Sequence, residues 1–187
     1  MTSMYNKNLI TYLRIGHKQA IFSDGGNFEE IKKLRNIKNK FSKFYDTSFI
    51  PSKELDKKKL MDVVLKWKKN RPKVEKNYYT QMYLNFIKND FEGNDIARSV
   101  VVNNEPCTIT AGWKIPNSNN YYSSIGILDY SYPGLGEIAN IDDLNRLKRK
   151  GYDYVDFGGS DKVLLYFKRK FKPEKIYKTY VFSIVRS

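Results

Sequence analysis

The chain of 187 residues carries 34 Lys and Arg against 20 Asp and Glu, a net charge of +14 at pH 7, with an isoelectric point near 9.6. Its hydrophobic content of 41% and aromatic content of 15% exclude a disordered tail, and its length suits one domain with a core of its own. The lone cysteine, Cys107, excludes an internal disulfide, and the lone histidine, His17, argues against a His-based zinc site or a Ser-His-Asp triad.

Residues 9–13 and 20–22 are apolar runs around Gly16-His17-Lys18 and read as a hairpin or two strands. Asp24-Gly25-Gly26 is a turn, and Asn27, three residues before Glu30, has the spacing of a capping box. Phe28, Ile31, Leu34, Ile37, Phe41 and Phe44 then recur at helical spacing. Lys32, Lys33, Arg35, Lys38, Lys40 and Lys43 fill the gaps, giving a helix with one apolar stripe and a basic remainder. Pro51-Ser52 is expected to open a second helix with Leu55, Leu60, Val63, Val64 and Trp67 inward, ended by Arg71-Pro72. A third helix covers residues 77–90, with Tyr79, Met82, Tyr83, Phe86 and Ile87 inward, and breaks at Glu92-Gly93-Asn94.

From residue 98 the apolar period changes to two. Strands are expected at 99–103, 107–115 and 121–130, and their short connections make them an antiparallel meander. Pro133-Gly134-Leu135-Gly136 is a glycine turn. Asn140 is expected to cap a helix with Asp142 and Asp143 in its first turn and Lys148, Arg149 and Lys150 in its last, charges that complement the helix dipole. Gly151 stops it. A strand at 152–157, a helix at 160–171 and a strand at 176–185 follow. The order predicts an α/β (α+β) fold: a mixed, mostly antiparallel central sheet flanked by helices, in a single domain over residues 1–187. A ligand would sit at the carboxyl ends of the last strands.

Three motifs can carry chemistry. Gly134 and Gly136 stand before a helix, where free backbone N–H groups and the dipole can hold a pyrophosphate, although Glu137 follows them. In Asp156-Phe157-Gly158-Gly159-Ser160 the paired glycines let the backbone approach a ligand, and Ser160 is placed to cap the next helix. That helix closes on Phe167-Lys168-Arg169-Lys170-Phe171-Lys172-Pro173, a basic-aromatic cluster. Each also has a plain structural reading: a tight turn, a turn with its cap, and a basic helix end set against the dipole. Among carboxylates that could accept a proton, Asp129 at the end of the central strand is the first candidate, with Asp156 second. Tyr130 and Tyr132 are candidate proton donors.

The strand, glycine turn and basic-aromatic helix of residues 151–173 resemble the last quarter of a GNAT-type acyltransferase domain. More narrowly they resemble the Fem-type peptidoglycan ligases and the phosphatidylglycerol lysyltransferases, which move aminoacyl groups from tRNA. Both carry an aromatic-Lys-x-x-Phe element at this helix end, matched here by Phe167-Lys168-Arg169-Lys170-Phe171, and the lysyltransferases add a nearby Pro, here Pro173. A looser match runs through Gly25-Gly26, Arg35, Asn39 and Tyr45, with Trp67 on a later helix, so the likeness spans residues 25–182. The chain departs from the pattern in lacking a basic residue before Gly134-Leu135-Gly136 and an Arg after Leu128-Asp129-Tyr130-Ser131-Tyr132.

The resemblance implies an N-acyltransferase that moves an acyl or aminoacyl group from acyl-CoA or aminoacyl-tRNA to an amine, with no tightly bound cofactor and no metal. On that match Lys168 stabilises the oxyanion of the tetrahedral intermediate. Gly134, Gly136, Gly158, Gly159 and Ser160 would bind the donor, while Arg169, Lys170 and Lys172, with Lys32 and Arg35, would contact nucleic acid or phosphate. The charge agrees with a tRNA, DNA, CoA or peripheral anionic-membrane partner. No apolar run reaches the roughly 18 residues of a membrane span, and a soluble, cytoplasmic protein is expected. Two other readings use the same residues. One is a non-catalytic nucleic-acid-binding module, with Lys32, Lys33, Arg35, Lys38 and residues 168–172 as a phosphate track. The other is an acyltransferase acting on a modified base in DNA.

Overall fold

The computed structural model describes residues 7–14, 29–70, 76–160 and 162–180. Strand β1 (Lys7–Arg14) precedes helix α1 (Glu29–Phe44), strand β2 (Thr47–Pro51) and a 3-10 turn at Ser52–Glu54. Helices α2 (Lys57–Lys69) and α3 (Lys76–Lys88) lead into strands β3 (Ile96–Val102), β4 (Glu105–Pro106), β5 (Thr108–Lys114) and β6 (Asn120–Leu128). Helix α4 (Leu135–Arg149), strand β7 (Tyr154–Asp156), helix α5 (Lys162–Arg169) and strand β8 (Lys175–Tyr180) complete the order. His17, the Asp24-Gly25-Gly26 turn and the Asn27 capping box lie outside the described residues.

Two helix starts differ from the sequence expectation, each for a physical reason. Pro51 opens no α-helix; it ends β2, in register with Arg98, on the edge of the sheet where its missing N–H is tolerated, and leads only into the 3-10 turn at Ser52–Glu54. Helix α2 starts instead after Asp56, whose carboxylate accepts from the Lys59 backbone N–H at 3.0 Å. Asn140 is not a cap. Helix α4 begins five residues earlier, with Gly134 at φ 91° in the cap position. There the burial of Leu135 and Ile138 in the core outweighs the lack of a side-chain cap. Asn140 lies inside the helix and donates to the Gly136 carbonyl at 2.8 Å. Asp142 and Asp143 are therefore mid-helix, paired with Arg98 and Arg146 at 3.5 and 2.5 Å.

The strands form one sheet in the order β2-β3-β5-β6-β7-β1-β8, with β4 added to β3. The β3-β5-β6 meander is antiparallel as expected, and so is every other pair described except β6-β7. Those two are joined by the α4 crossover and run parallel. Their pairing covers only Asn120↔Tyr154, Tyr121↔Val155 and Tyr122↔Asp156. Beyond it β6 continues to Leu128 while β7 stops, so the sheet forks at this point.

A bulge sits at the fork. Ala111 pairs with Ile125 but Gly112 pairs with Ser123, which leaves Ser124 as an extra residue on β6. The extra residue reverses the strand's inside-outside parity. Tyr121 joins Leu144, Leu147 and Val155 under α4, whereas Ile125 and Ile127 join Leu60, Val64 and Trp67 under α2. In a regular strand all three odd-numbered residues would share one face. Gly112 permits the bulge, because a Cβ there would lie 2.0 Å from the Tyr122 carbonyl oxygen. Helices α2 and α3 thus cover one face of the sheet, and α1, α4 and α5 cover the other, around Leu34, Phe41, Leu144, Val155 and Phe171.

Replacing Gly112 by Ala forces backbone against backbone and is expected to cost about 3 kcal/mol or more in urea unfolding. Gly126→Ala, on the same sheet with nothing within 4 Å of its Cβ position, should stay within about 0.5 kcal/mol. Equal effects at the two glycines would refute the bulge.

Candidate functional site

The carboxyl end of β7 turns sharply on its own side chain. The Asp156 Oδ1 accepts from the Gly158 backbone N–H at 2.7 Å, and Gly158 holds φ 66°, a conformation that favours glycine. A Cβ on Gly158 would also stand 3.1 Å from the Tyr122 hydroxyl of β6. From α5, Lys168 reaches back to this turn. Its Nζ donates to the carbonyls of Gly158 and Gly159 at 3.2 and 3.1 Å and to that of Phe157. Lys168 is 8% exposed, and a buried ammonium is tolerable only when its donors are met. Ser160, 4% exposed, caps nothing: α5 starts at Lys162 and the Ser160 Oγ has no hydrogen-bond partner among the described residues. A buried hydroxyl without a partner is costly and is available to a ligand at the mouth of the fork.

The two candidate carboxylates occupy opposite environments. Burial pushes the Asp156 carboxyl above the usual carboxylate range, opposed by the Gly158 hydrogen bond and by Lys168. At Asp129 burial acts in the same direction but is outweighed by hydrogen bonds from Ser131 and by Lys66, so that its carboxyl titrates low. The Asp129 Oδ1 accepts from Ser131 N–H at 2.9 Å, and its Oδ2 lies 3.1 Å from the Lys66 ammonium of α2. The Cys107 thiol and the Tyr132 hydroxyl beside it are both pushed up, chiefly by burial. Asp129 is thus a fixed anion tied to α2, and Asp156 is drawn toward its neutral form at the fork. Tyr130 is exposed.

The start of α4 is packed shut. A Cβ on Gly134 would meet the Ile37 side chain of α1 at 2.9 Å, and one on Gly136 would meet the Phe167 ring of α5 at 3.3 Å. Glu137, in the first turn, is buried and its carboxylate pairs with the Lys170 ammonium at 2.7 Å. Lys170 also lies 5.3 Å from the centre of the Phe167 ring. Of the expected phosphate contacts, Lys32 and Arg35 are exposed on α1, and Arg169 and Lys172 are exposed at the end of α5. Lys168 is inside the fold and drops out of any surface track.

Two residues of the site were not anticipated. Tyr122 and Trp113 are register partners across β6 and β5, half-buried, with ring centres 5.0 Å apart and planes tilted by 53°. The Tyr122 hydroxyl is pushed up by burial and then by the charge of Asp156. Nothing in Tyr121-Tyr122-Ser123-Ser124 says which tyrosine faces the core; the bulge decides it. No helix among the described residues is long and apolar enough to cross a membrane.

No family model matches this chain, and no curated protein matches it. Solved structures do match. The chain is similar to a conserved protein of unknown function from Bacteroides thetaiotaomicron (TM-score 0.72, 16% identity, 95% of this chain and 60% of that one). It is similar to L-PGS from Bacillus licheniformis (TM-score 0.66, 15% identity, 94% and 60%). A third likeness is to the C-terminal domain of a putative lysylphosphatidylglycerol synthetase from Agrobacterium fabrum (TM-score 0.62, 12% identity, 94% and 60%). The chain thus spans 60% of the length of each of these three proteins. An aminoglycoside acetyltransferase from an uncultured soil metagenomic sample, in complex with sisomicin, also matches (TM-score 0.52, 16% identity, 79% and 99%). The fold is GNAT-like, as the sequence resemblance implied.

The opposed carboxylates give a direct check. Carbon-detected NMR titration should find Asp156 above and Asp129 below the ordinary carboxylate range; the reverse order would overturn the assignment. Because the folded pKa of Asp129 is depressed, its contribution to stability is present above the unfolded carboxylate range and is lost as pH falls through the folded value. Asp129→Asn should remove that acid-side loss.

Proposed function

We propose that this protein is a transferase that holds the carbonyl of an aminoacyl or acyl donor in the fork between β6 and β7 and passes the acyl group to an amine. The observation that carries the reading is the pairing of a buried ammonium, Lys168, with a buried carboxyl of raised pKa, Asp156, on one glycine turn at the carboxyl end of a parallel strand pair. Ligands of open α/β sheets bind at such ends, and groups with opposed protonation needs mark functional sites.

Lys168 would exchange one of its three carbonyl partners for the donor's carbonyl oxygen and hold the oxyanion of the tetrahedral intermediate. Asp156 would take the proton from the acceptor ammonium, leaving a neutral nucleophile. Asp156 passes that first proton to solvent. The C–N bond then forms, and Asp156 takes the second proton from the attacking nitrogen. The bond from the carbonyl carbon to the leaving oxygen or sulfur breaks, and Asp156 gives this proton to that leaving atom. In this reading Asp129, tied to Lys66, is a structural anion. No covalent intermediate on the protein is required.

A charged tRNA is the favoured donor. The buried Glu137 carboxylate and the covering Ile37 and Phe167 side chains disfavour a pyrophosphate at the start of α4. Exposed Lys32 and Arg35 on α1, Arg169 at the end of α5 and Lys172 just beyond it suit a polyanion near that start. A likeness in fold to L-PGS and to a putative lysylphosphatidylglycerol synthetase is consistent with aminoacyl transfer. A cytoplasmic site of action goes with a tRNA donor. The second reading, an acyl-CoA donor, is favoured by the Gly134-Leu135-Gly136 helix start and by the likeness to a Thermoplasma acidophilum PaiA N-acetyltransferase in complex with coenzyme A (TM-score 0.50, 16% identity, 67% of this chain and 87% of that one).

Thermal-shift and native mass-spectrometric screening against acetyl-CoA, longer acyl-CoAs and charged tRNA separates these readings. A shift with charged tRNA alone is expected; a shift with none of them would sink the donor assignment. Lys168→Met should lower single-turnover transfer by about 100-fold or more and leave donor affinity within about threefold. It should also reduce stability by about 3 kcal/mol, through unmet buried carbonyls. Full transfer by this variant would remove Lys168 from the mechanism. Lys32→Ala and Arg35→Ala should each lower the salt slope of tRNA binding by about 1.

A further inference from the structure

A cavity of about 310 Å³ lies between α2 and β4, lined by Lys59, Asp62, Leu65, Lys66 and Lys69 of the helix and by Glu105 and Pro106 of the strand. None of the fork's residues borders it. The five α2 residues recur at steps of three and four, so they form one stripe along the helix. A plain account of such a stripe is a solvated face whose last-turn lysines complement the dipole. Three observations go further. The stripe borders a concave space, because β4 stands opposite it. Leu65 is 45% exposed there, on the same lining as Pro106. The charges are also unevenly matched. Lys59 pairs with Glu105 at 2.8 Å and Lys66 with Asp129 at 3.1 Å, whereas Lys69 and Asp62 have no charged partner among the described residues.

We infer that this cavity is a second binding site, for a small molecule with one anionic end, a carboxylate or a phosphate monoester, and an apolar body. It stands apart from the transferase reading and does not depend on it. Lys66 and Lys69 are one helical turn apart and hold the anion. Each ammonium has three donors; Lys66 shares its own with Asp129, and Lys69 pairs with no described carboxylate. Leu65 and Pro106, with the methylene stems of the lysines, form the apolar wall. Asp62 lies seven residues before Lys69, roughly 10 Å along the helix, and repels a charge at the ligand's other end. Occupancy is felt inside the fold. Lys66 is one of the groups that keep Asp129 ionised, and an anion sharing its donors opposes that charge. The coupling is reciprocal: the ligand pushes the Asp129 carboxyl up, and loss of the Asp129 charge releases Lys66 to the ligand. Asp129 in turn holds the Ser131 N–H in the segment that leads into α4.

The test is calorimetry on the intact chain, with phenyl phosphate and benzoate as probes and inorganic phosphate, benzyl alcohol and benzylamine as controls. At least one of the two probes is expected to bind with a Kd of about 10 mM or tighter. Phenyl phosphate should bind at least about fivefold more tightly than inorganic phosphate. Benzyl alcohol and benzylamine should bind at least about tenfold more weakly than the better probe. Because cations cover much of the surface, variants locate the site. Lys69→Met, at an exposed position, should weaken the better probe about threefold. Leu65→Ser should remove the advantage of phenyl phosphate over inorganic phosphate, while Lys32→Ala and Arg169→Ala should change nothing. Asp129→Asn frees Lys66 and should tighten binding about threefold. If that variant does not fold, carbon-detected NMR of the unaltered chain reads the same coupling, as a rise of the Asp129 pKa when phenyl phosphate is added. Absence of binding, equal binding of benzyl alcohol, or unchanged affinity in Lys69→Met and Leu65→Ser would overturn the site. So would a loss of binding in Lys32→Ala that Lys69→Met does not share.

Discussion

Lys168 brings its charge into a position where only 8% of the residue is exposed, and the carbonyl oxygens of Phe157, Gly158 and Gly159 make that burial tolerable. An unpaired ammonium there would cost several kcal/mol, a large share of a typical fold's margin of stability. The constraint runs in both directions. The carbonyls must converge, so the chain after β7 has to turn through glycines, and α5 has to sit where its last turn reaches them. The Asp156–Gly158 hydrogen bond and the Phe167 and Phe171 rings hold the two sides of this arrangement together. The same contact ends the parallel pairing after three residues and so opens the fork.

The bulge at Ser124 is the second determinant. It lets one strand serve two cores, sending Tyr121 under α4 and Ile125 under α2. Because it lies next to the fork, the change of parity falls where a ligand would enter. It turns Tyr122 and its register partner Trp113 toward the α2 and α3 side, in line with Asp156. Gly112 is tied to this geometry by its contact with the Tyr122 carbonyl.

Charge placement gives the site its polarity. Asp129 and Asp156 both end strands and both are buried, yet Lys66 and Ser131 hold the first as an anion while burial draws the second toward neutrality. Glu137 and Lys170 neutralise each other at the start of α4. The cations left on the surface of α1 and α5 are long-range attractors for a polyanion rather than catalytic groups.

Periodicity alone was enough to locate α1, α3 and the β3-β5-β6 meander, because their apolar stripes are long and uninterrupted. In the closing stretch, Asp156 through Pro173, the glycine turn was legible from its residues, and Lys168 stood out through the family resemblance; its burial was not legible, and the alternative reading set it in an exposed phosphate track. The start of α4 and the strand β2 were not legible. A core contact such as Leu135 can replace a cap, and five residues of edge strand show too little alternation to register. The sequence placed Asp129 ahead of Asp156 as the proton acceptor, because position along a strand was the only guide. Their protonation depends on partners far away in the chain, Lys66 for one and Lys168 for the other. Local pattern determined which elements form and which motif is unusual. Tertiary structure decided which face each side chain meets and in which direction each carboxyl is shifted, because both follow from a one-residue bulge and from contacts that no short window of sequence contains.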